Sequence, residues 1–123
     1  MNALYLVVGG ALGTLARYYA GIAITDASSS RTLATFAVNV AGSFIIGVFL
    51  MLGEERDAWS NALVLLVAVG FLGGFTTFST LTWQTYQLLD TNEAPRAMFY
   101  LGGSVVAGML AVWAGASLAR LMS

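Results

Sequence analysis

Apolar residues follow one another along this chain in four long stretches, and short polar clusters separate the stretches. The apolar stretches cover about residues 3–24, 33–52, 62–89 and 97–121. An α-helix rises about 1.5 Å per residue, so that some 20 residues cross the roughly 30 Å hydrocarbon core of a bilayer. The pattern therefore predicts an all-α membrane protein whose four transmembrane helices form a single domain over residues 1–123.

The polar clusters at residues 25–31, 53–61 and 90–96 mark the expected loops. The last of them contains Pro95, the only proline of the chain. Proline is favoured at the start of a helix, where its missing N–H is not needed. We therefore expect the fourth helix to begin near Pro95.

The third stretch is too long for one simple span, because 28 residues would form a helix of about 42 Å. Its middle, residues 70–80, is rich in glycine and hydroxyl residues, which favour the helix poorly. We predict a break near residues 73–77. Non-helical backbone at membrane depth is tolerated only inside protein or along a water-filled path, so this segment is a candidate site. A kinked helix packed through glycine is the alternative.

Composition agrees with a membrane protein and excludes several kinds of chemistry. Hydrophobic residues make up 59% of the chain, charged residues only 9%, and the mean hydropathy is +0.82, whereas a soluble domain carries about 25% charged residues. There is no cysteine or histidine, which removes thiol chemistry, imidazole bases and the usual zinc ligands. No basic patch favours nucleic acid, and no nucleophile has a base beside it. We expect a multi-pass protein of the cell membrane, surrounded by lipid, with no enzymatic activity and no organic cofactor.

The arginines do not fix an orientation in the membrane. Arg56 and Arg120 fall on the side of the N-terminus, while Arg17, Arg31 and Arg96 fall on the other side. The positive-inside rule needs a clearer excess than three against two. We therefore expect both orientations to be inserted, which allows two copies to pair antiparallel about an axis in the membrane plane.

Small residues recur four positions apart, a spacing that lets transmembrane helices approach closely. The pairs are Gly9 with Gly13, Ser43 with Gly47, Ser104 with Gly108, and Ala111 with Gly115. This spacing predicts tight helix packing.

Polar side chains inside the predicted spans are candidate functional residues, because they are costly in a membrane. They are Arg17, Thr35, Asn39, Ser43, Thr76, Thr77, Ser79, Thr80, Tyr100 and Ser104, and none is a carboxylate. Thr35, Asn39 and Ser43 share one face of the second span, and Tyr100 and Ser104 share one face of the fourth. Such donors suit an anion path, with interhelical hydrogen bonding as the alternative. Arg17 either extends to the membrane surface or lies buried in a pore, and in both cases we expect it to attract anions at a vestibule.

Three motifs in order along the chain resemble the Fluc family of fluoride channels, also called CrcB. The sequence GGFTTFST at 73–80 resembles the family signature of the third span. GTLARY at 13–18 and TFAVNVAGSF at 35–44 resemble the corresponding segments of the first two spans. The resemblance covers essentially the whole chain.

The resemblance implies an antiparallel, dual-topology dimer with two narrow pores at the subunit interface. Fluoride would leave the cell passively through these pores, which lowers its toxicity in the cytoplasm. The resemblance also implies a structural sodium ion at the dimer centre, held by the backbone carbonyl groups of Gly73 and Thr76 from both subunits. Carbonyl oxygens are suitable hard ligands for such a cation.

The resemblance further assigns Asn39 as the pore-facing donor of the second span. Phe78 would be the first of two phenylalanines whose ring edges, the positive part of the aromatic quadrupole, face the anion. The other expected pore positions are Thr35, Ser43, Thr77, Ser79, Thr80, Leu81, Tyr100 and Ser104, and Arg17 is expected at the vestibule.

Two positions depart from the family pattern. Leu81 stands where the second phenylalanine is expected, and Gly108 stands where another hydroxyl residue is expected. An aliphatic side chain has no aromatic quadrupole. A homodimer remains the favoured assembly, with pairing to a non-identical subunit as the alternative.

Two other membrane functions compete with this interpretation. A small multidrug exporter would also have four spans in an antiparallel dimer, but it needs a proton-coupled carboxylate, and every acidic residue here lies in a predicted loop. A membrane scaffold that only packs through its glycines should tolerate substitution of Asn39 and Phe78.

Overall fold

Helices form nearly all of the chain in the computed structural model, which describes residues 1–123. In chain order they are α1 (Asn2–Ser28), α2 (Arg31–Arg56), α3 (Asn61–Val64), a π-helical segment (Leu65–Leu72), α4 (Gly73–Phe75), α5 (Phe78–Asp90) and α6 (Ala94–Met122). Four units are long and apolar enough to cross a membrane: α1, α2, the region Asn61–Asp90 and α6. The predicted all-α class with four spans is confirmed.

Side-chain caps in the polar clusters explain where two of the spans begin. Ser30 accepts a hydrogen bond from the amide of Leu33 at 3.1 Å, and α2 begins at Arg31, the last residue of the first polar cluster. Ser60 accepts from the amide of Leu63 at 3.2 Å at the start of α3. These hydroxyls satisfy amides that a helix leaves without partners in its first turn. Pro95 lies in the first turn of α6, as predicted.

Two close helix contacts organise the molecule: α2 packs along α6, and α1 packs against the π-helical segment. Glycine makes both contacts possible. A Cβ atom on Gly13 of α1 would meet the carbonyl oxygen of Phe71, and one on Gly115 of α6 would meet the carbonyl oxygen of Phe44. The tight packing predicted from small-residue spacing is therefore confirmed at these positions.

The exterior of the protomer is apolar. Only 17 of the 123 residues are buried, and large hydrophobic side chains lie on the outside; Phe99, for example, is 82% exposed. Some of the most deeply buried positions are occupied by small residues, such as Ala97 and Ala119, at the helix contacts. This surface suits hydrocarbon or another apolar surface rather than water.

Candidate functional site

Two extended residues interrupt the helical path of the third span. Thr76 has φ −92° and ψ 158°, and Thr77 has φ −149° and ψ 117°, between α4 and α5. The π-helical segment lies directly before α4, and π-helical turns occur frequently at functional sites. The extended geometry at residues 76 and 77 therefore leaves backbone groups near these residues without the partners that a continuous helix would give them.

Asn39 of α2 satisfies both backbone groups of Thr77. Its Oδ1 accepts from the amide of Thr77 at 2.8 Å, and its Nδ2 donates to the carbonyl oxygen of Thr77 at 3.0 Å. The two bonds pair Asn39 with the extended residue much as a neighbouring strand would. A side-chain amide carries two N–H donors, so the second N–H of Asn39 is left for another acceptor.

Two carbonyl oxygens of the interruption lack the amide partners that a continuous helix would give them. In a continuous α-helix the carbonyl of Gly73 would accept from the amide of Thr77, and that of Thr76 would accept from the amide of Thr80. The amide of Thr77 instead donates to Asn39. The amide of Thr80 donates to Oγ1 of Thr77 at 3.2 Å. Gly73 and Thr76 thus have carbonyl oxygens that fit a hard cation such as sodium.

Arg17 of α1 contacts the interruption directly. Its Nε donates to the carbonyl oxygen of Gly74 at 3.0 Å. A guanidinium has five N–H donors, and this bond uses one of them. Arg17 therefore both supports the interrupted backbone and keeps a positive charge beside it.

Three clefts in the protomer surface contain nearly all of the residues singled out from the sequence. The central cleft, of about 340 Å³, is lined by Asn39, Ser43, Gly73, Thr76, Thr77, Phe78, Leu81 and Ser104, together with apolar residues. The basic cleft, of about 380 Å³, contains Arg17, Asp26, Arg31, Thr35, Thr77, Thr80 and Gln84. The lateral cleft, of about 460 Å³, contains Phe36, Arg96, Phe99, Tyr100 and Ser104.

Shared side chains connect these clefts. Thr77 lines both the central and the basic cleft, and Ser104 lines both the central and the lateral cleft. Ser79 lines none of the three, although its Oγ lies 3.4 Å from Oγ1 of Thr77. The polar stripes predicted on the second and fourth spans are thus distributed over three adjoining clefts.

Phe78 and Leu81 occupy very different environments. The Phe78 side chain lies at the surface, with 73% of the residue exposed, whereas Leu81 is only 6% exposed. Phe78 can therefore present its ring edge to a neighbouring molecule. The aliphatic side chain of Leu81 is packed within the protomer.

Ser104 has the only buried side-chain oxygen or nitrogen without a hydrogen-bond partner in this chain. Leaving a buried hydroxyl unpaired costs on the order of 1–3 kcal/mol. Ser104 lies at the junction of the central and lateral clefts.

Gln84 belongs to this site but was absent from the sequence prediction. The hydroxyl of Tyr100 donates to Oε1 of Gln84 at 2.6 Å, joining α6 to α5. The signal in the sequence was the spacing from Thr77, because residues seven apart share a helix face. Gln84 also lines the basic cleft, so Tyr100 is linked to that cleft through it.

Comparison with known proteins shows similarity over most of the chain. The model of the family described as "CrcB-like protein, Camphor Resistance (CrcB)" matches residues 4–116. A protein of Acidobacterium capsulatum named "Fluoride-specific ion channel FluC" is 40% identical, over 94% of this chain and 93% of its own length. Proteins with the same name from Chlorobaculum tepidum and Solibacter usitatus are 39% and 43% identical, over 98% of this chain and 95% and 99% of their own lengths.

Proposed function

The chain belongs to the CrcB family, and we propose that two copies of it form a passive, fluoride-selective channel that exports fluoride across the cell membrane and lowers its toxicity in the cytoplasm. The observation that carries this proposal is the similarity, over nearly the whole chain, to proteins named fluoride-specific ion channels. Such a channel lets an ion move down its gradient without a chemical step. It is not an enzyme.

Uncharged hydrogen-bond donors provide the path for the ion. The second N–H of Asn39 and the unpaired hydroxyl of Ser104 belong to residues that line the central cleft. Donors of this kind replace the water around fluoride without holding the anion as strongly as a full positive charge would. The edge of the exposed Phe78 ring adds a further positive contact.

A second copy of the chain, inserted in the opposite orientation, would complete each pore. The near balance of arginines between the two sides supports dual topology. The exposure of Phe78 beside the central cleft supports a partner at that surface. The homodimer is our proposal. Leu81 and Gly108, the two positions that depart from the family pattern, favour a non-identical partner instead.

The carbonyl oxygens of Gly73 and Thr76 would hold a structural sodium ion at the centre of this dimer. The sodium ion would be coordinated by these two oxygens, which lack the amide partners of a continuous helix. The diversion of two amides to Asn39 and Thr77 supports the assignment, because it leaves both oxygens available.

The placement of the carboxylates argues against proton-coupled drug export. Asp26 lies in the last turn of α1, and Asp90 is the last residue of α5. The remaining acidic residues lie at or beyond helix ends: Glu54, Glu55, Asp57 and Glu93. An exporter of that kind needs an ionisable group near the middle of the membrane.

Growth in fluoride tests the proposal in cells. Expression of the chain in a bacterium that lacks its own fluoride exporter is expected to restore growth at fluoride concentrations that stop the empty-vector strain. Phe78→Ile should abolish this protection by removing the ring edge, while Phe44→Ile, outside the three clefts, should retain it. Equal growth of the wild-type and empty-vector strains, with the protein present in the membrane, would contradict the proposal.

Ser104→Ala separates conduction from packing. Since the Ser104 hydroxyl is buried and unpaired, its removal should leave the thermal unfolding temperature unchanged or raise it. Fluoride efflux from liposomes should fall about tenfold, as expected for the loss of a donor worth about 1.4 kcal/mol.

The matched control for Ser104→Ala is Ser123→Ala at the chain terminus, where the hydroxyl donates to the carbonyl oxygen of Ala119. This control should conduct normally. A Ser104→Ala protein that is less stable but conducts like the wild type would show that Ser104 only packs the helices.

A further inference from the structure

The basic cleft contains three charged side chains of which one has the wrong sign for an anion path. Arg17 and Arg31 line this cleft together with Asp26. The two ion pairs of the chain lie elsewhere, between Arg96 and Glu93 and between Arg120 and Glu55. The carboxylate of Asp26 is therefore not neutralised by direct contact with either arginine, and it reduces the net charge of the cleft to +1.

The helix dipoles do not favour the positions of Asp26 and Arg31. Asp26 lies in the last turn of α1 and Arg31 is the first residue of α2. A carboxylate near a helix C-terminus and a cation at a helix N-terminus both face the unfavourable end of the helix dipole. Ser29 and Ser30 alone separate the two helices, so this turn keeps both charges at the cleft.

We propose that Asp26 limits the rate at which the basic cleft captures fluoride, and that Arg31 increases it. This inference rests on the proposed channel function and extends it to residues outside the donor path. A cleft lined by one sign of charge concentrates the opposite ion and speeds its association. An ion path must also release the ion, so a cleft that binds too strongly slows conduction. The negative charge of Asp26 weakens the attraction of the two arginines for fluoride.

Initial fluoride efflux from liposomes of neutral lipid, measured with the purified channel at low ionic strength, tests this role. Asp26→Asn is expected to raise the initial rate about threefold at low fluoride concentration. Arg31→Gln is expected to lower the rate by a similar factor. Both changes should largely disappear in about 1 M of an impermeant salt, where the Debye length is about 3 Å.

Asp90→Asn is the matched control, because Asp90 ends α5 on the same side of the membrane as Asp26 but outside the three clefts. Its efflux rate should equal that of the wild type. Opposite effects of Asp26→Asn and Arg31→Gln would support the proposal, since a merely structural role would slow both variants.

Three results would overturn the inference. An unchanged rate in Asp26→Asn, with a conducting wild type, would refute the role of Asp26 and leave the channel function standing. An equal increase in the efflux rate of Asp90→Asn would show that the rate responds to the general surface potential and not to the charge of the basic cleft. A silent wild-type protein would refute the channel function itself and the inference with it.

Discussion

Asn39→Asp is expected to lower fluoride efflux at least about a hundredfold. The aspartate would have no donor for the carbonyl oxygen of Thr77, which now accepts from Nδ2 of Asn39 at 3.0 Å. It would also place a negative charge in the path of the anion. Two like charges about 4 Å apart repel by about 4 kcal/mol at an effective dielectric constant of 20, and each 1.4 kcal/mol is a factor of ten.

Liposome efflux, with thermal unfolding measured in parallel, checks this prediction. The unfolding temperature of Asn39→Asp should also fall, because the carbonyl of Thr77 loses a partner at a cost of about 1–3 kcal/mol. Asn92→Asp is the matched control, since Asn92 lies in the short turn between α5 and α6 and is exposed. Conduction by Asn39→Asp at the rate of this control would remove Asn39 from the ion path.

Gly13→Ala is expected to prevent α1 from packing against the third span. The added Cβ would meet the carbonyl oxygen of Phe71, a backbone atom that cannot rotate away. Overpacking of this kind costs typically about 1–3 kcal/mol, and more where backbone must move. Arg17 follows Gly13 by one helical turn and binds the carbonyl of Gly74. Displacement of α1 should therefore withdraw Arg17 from the interruption and reduce both stability and efflux.

Gly10→Ala tests the specificity of this effect on the same helix. A Cβ atom on Gly10 has no neighbour within 4 Å, and alanine favours the helix over glycine by about 1 kcal/mol. This variant should unfold at the temperature of the wild type or slightly above it, while Gly13→Ala should unfold at a much lower temperature. Equal unfolding temperatures for the two variants would contradict the packing described for α1.

The four spans were predictable because each apolar stretch is bounded by a polar cluster. The spacing of Gly9 and Gly13 also predicted a close contact, but it did not identify the partner. That partner is the π-helical segment at residues 65–72. Its sequence, LLVAVGFL, gives no sign of π-helical geometry, because apolar residues of this kind are equally common in ordinary transmembrane α-helices. The π-helical turns therefore could not be predicted.

The site residues were identifiable by polarity within an apolar span, whereas their partners were not. Asn39 and Thr77 are 38 positions apart, and only the packing of α2 against the third span brings them together. Gln84 was missed although it is polar and lies within the third apolar stretch, and only the structure shows its hydrogen bond with Tyr100 of another helix. Polarity shows that a residue is costly in the membrane, but the contact that offsets the cost is a property of the fold.

The most direct test of the account is the efflux of fluoride and of chloride from liposomes that contain the purified chain as their only protein. The account predicts rapid release of fluoride and no measurable release of chloride, from a dimer of identical chains. A folded dimer that releases no fluoride, or that releases chloride at a comparable rate, would contradict it.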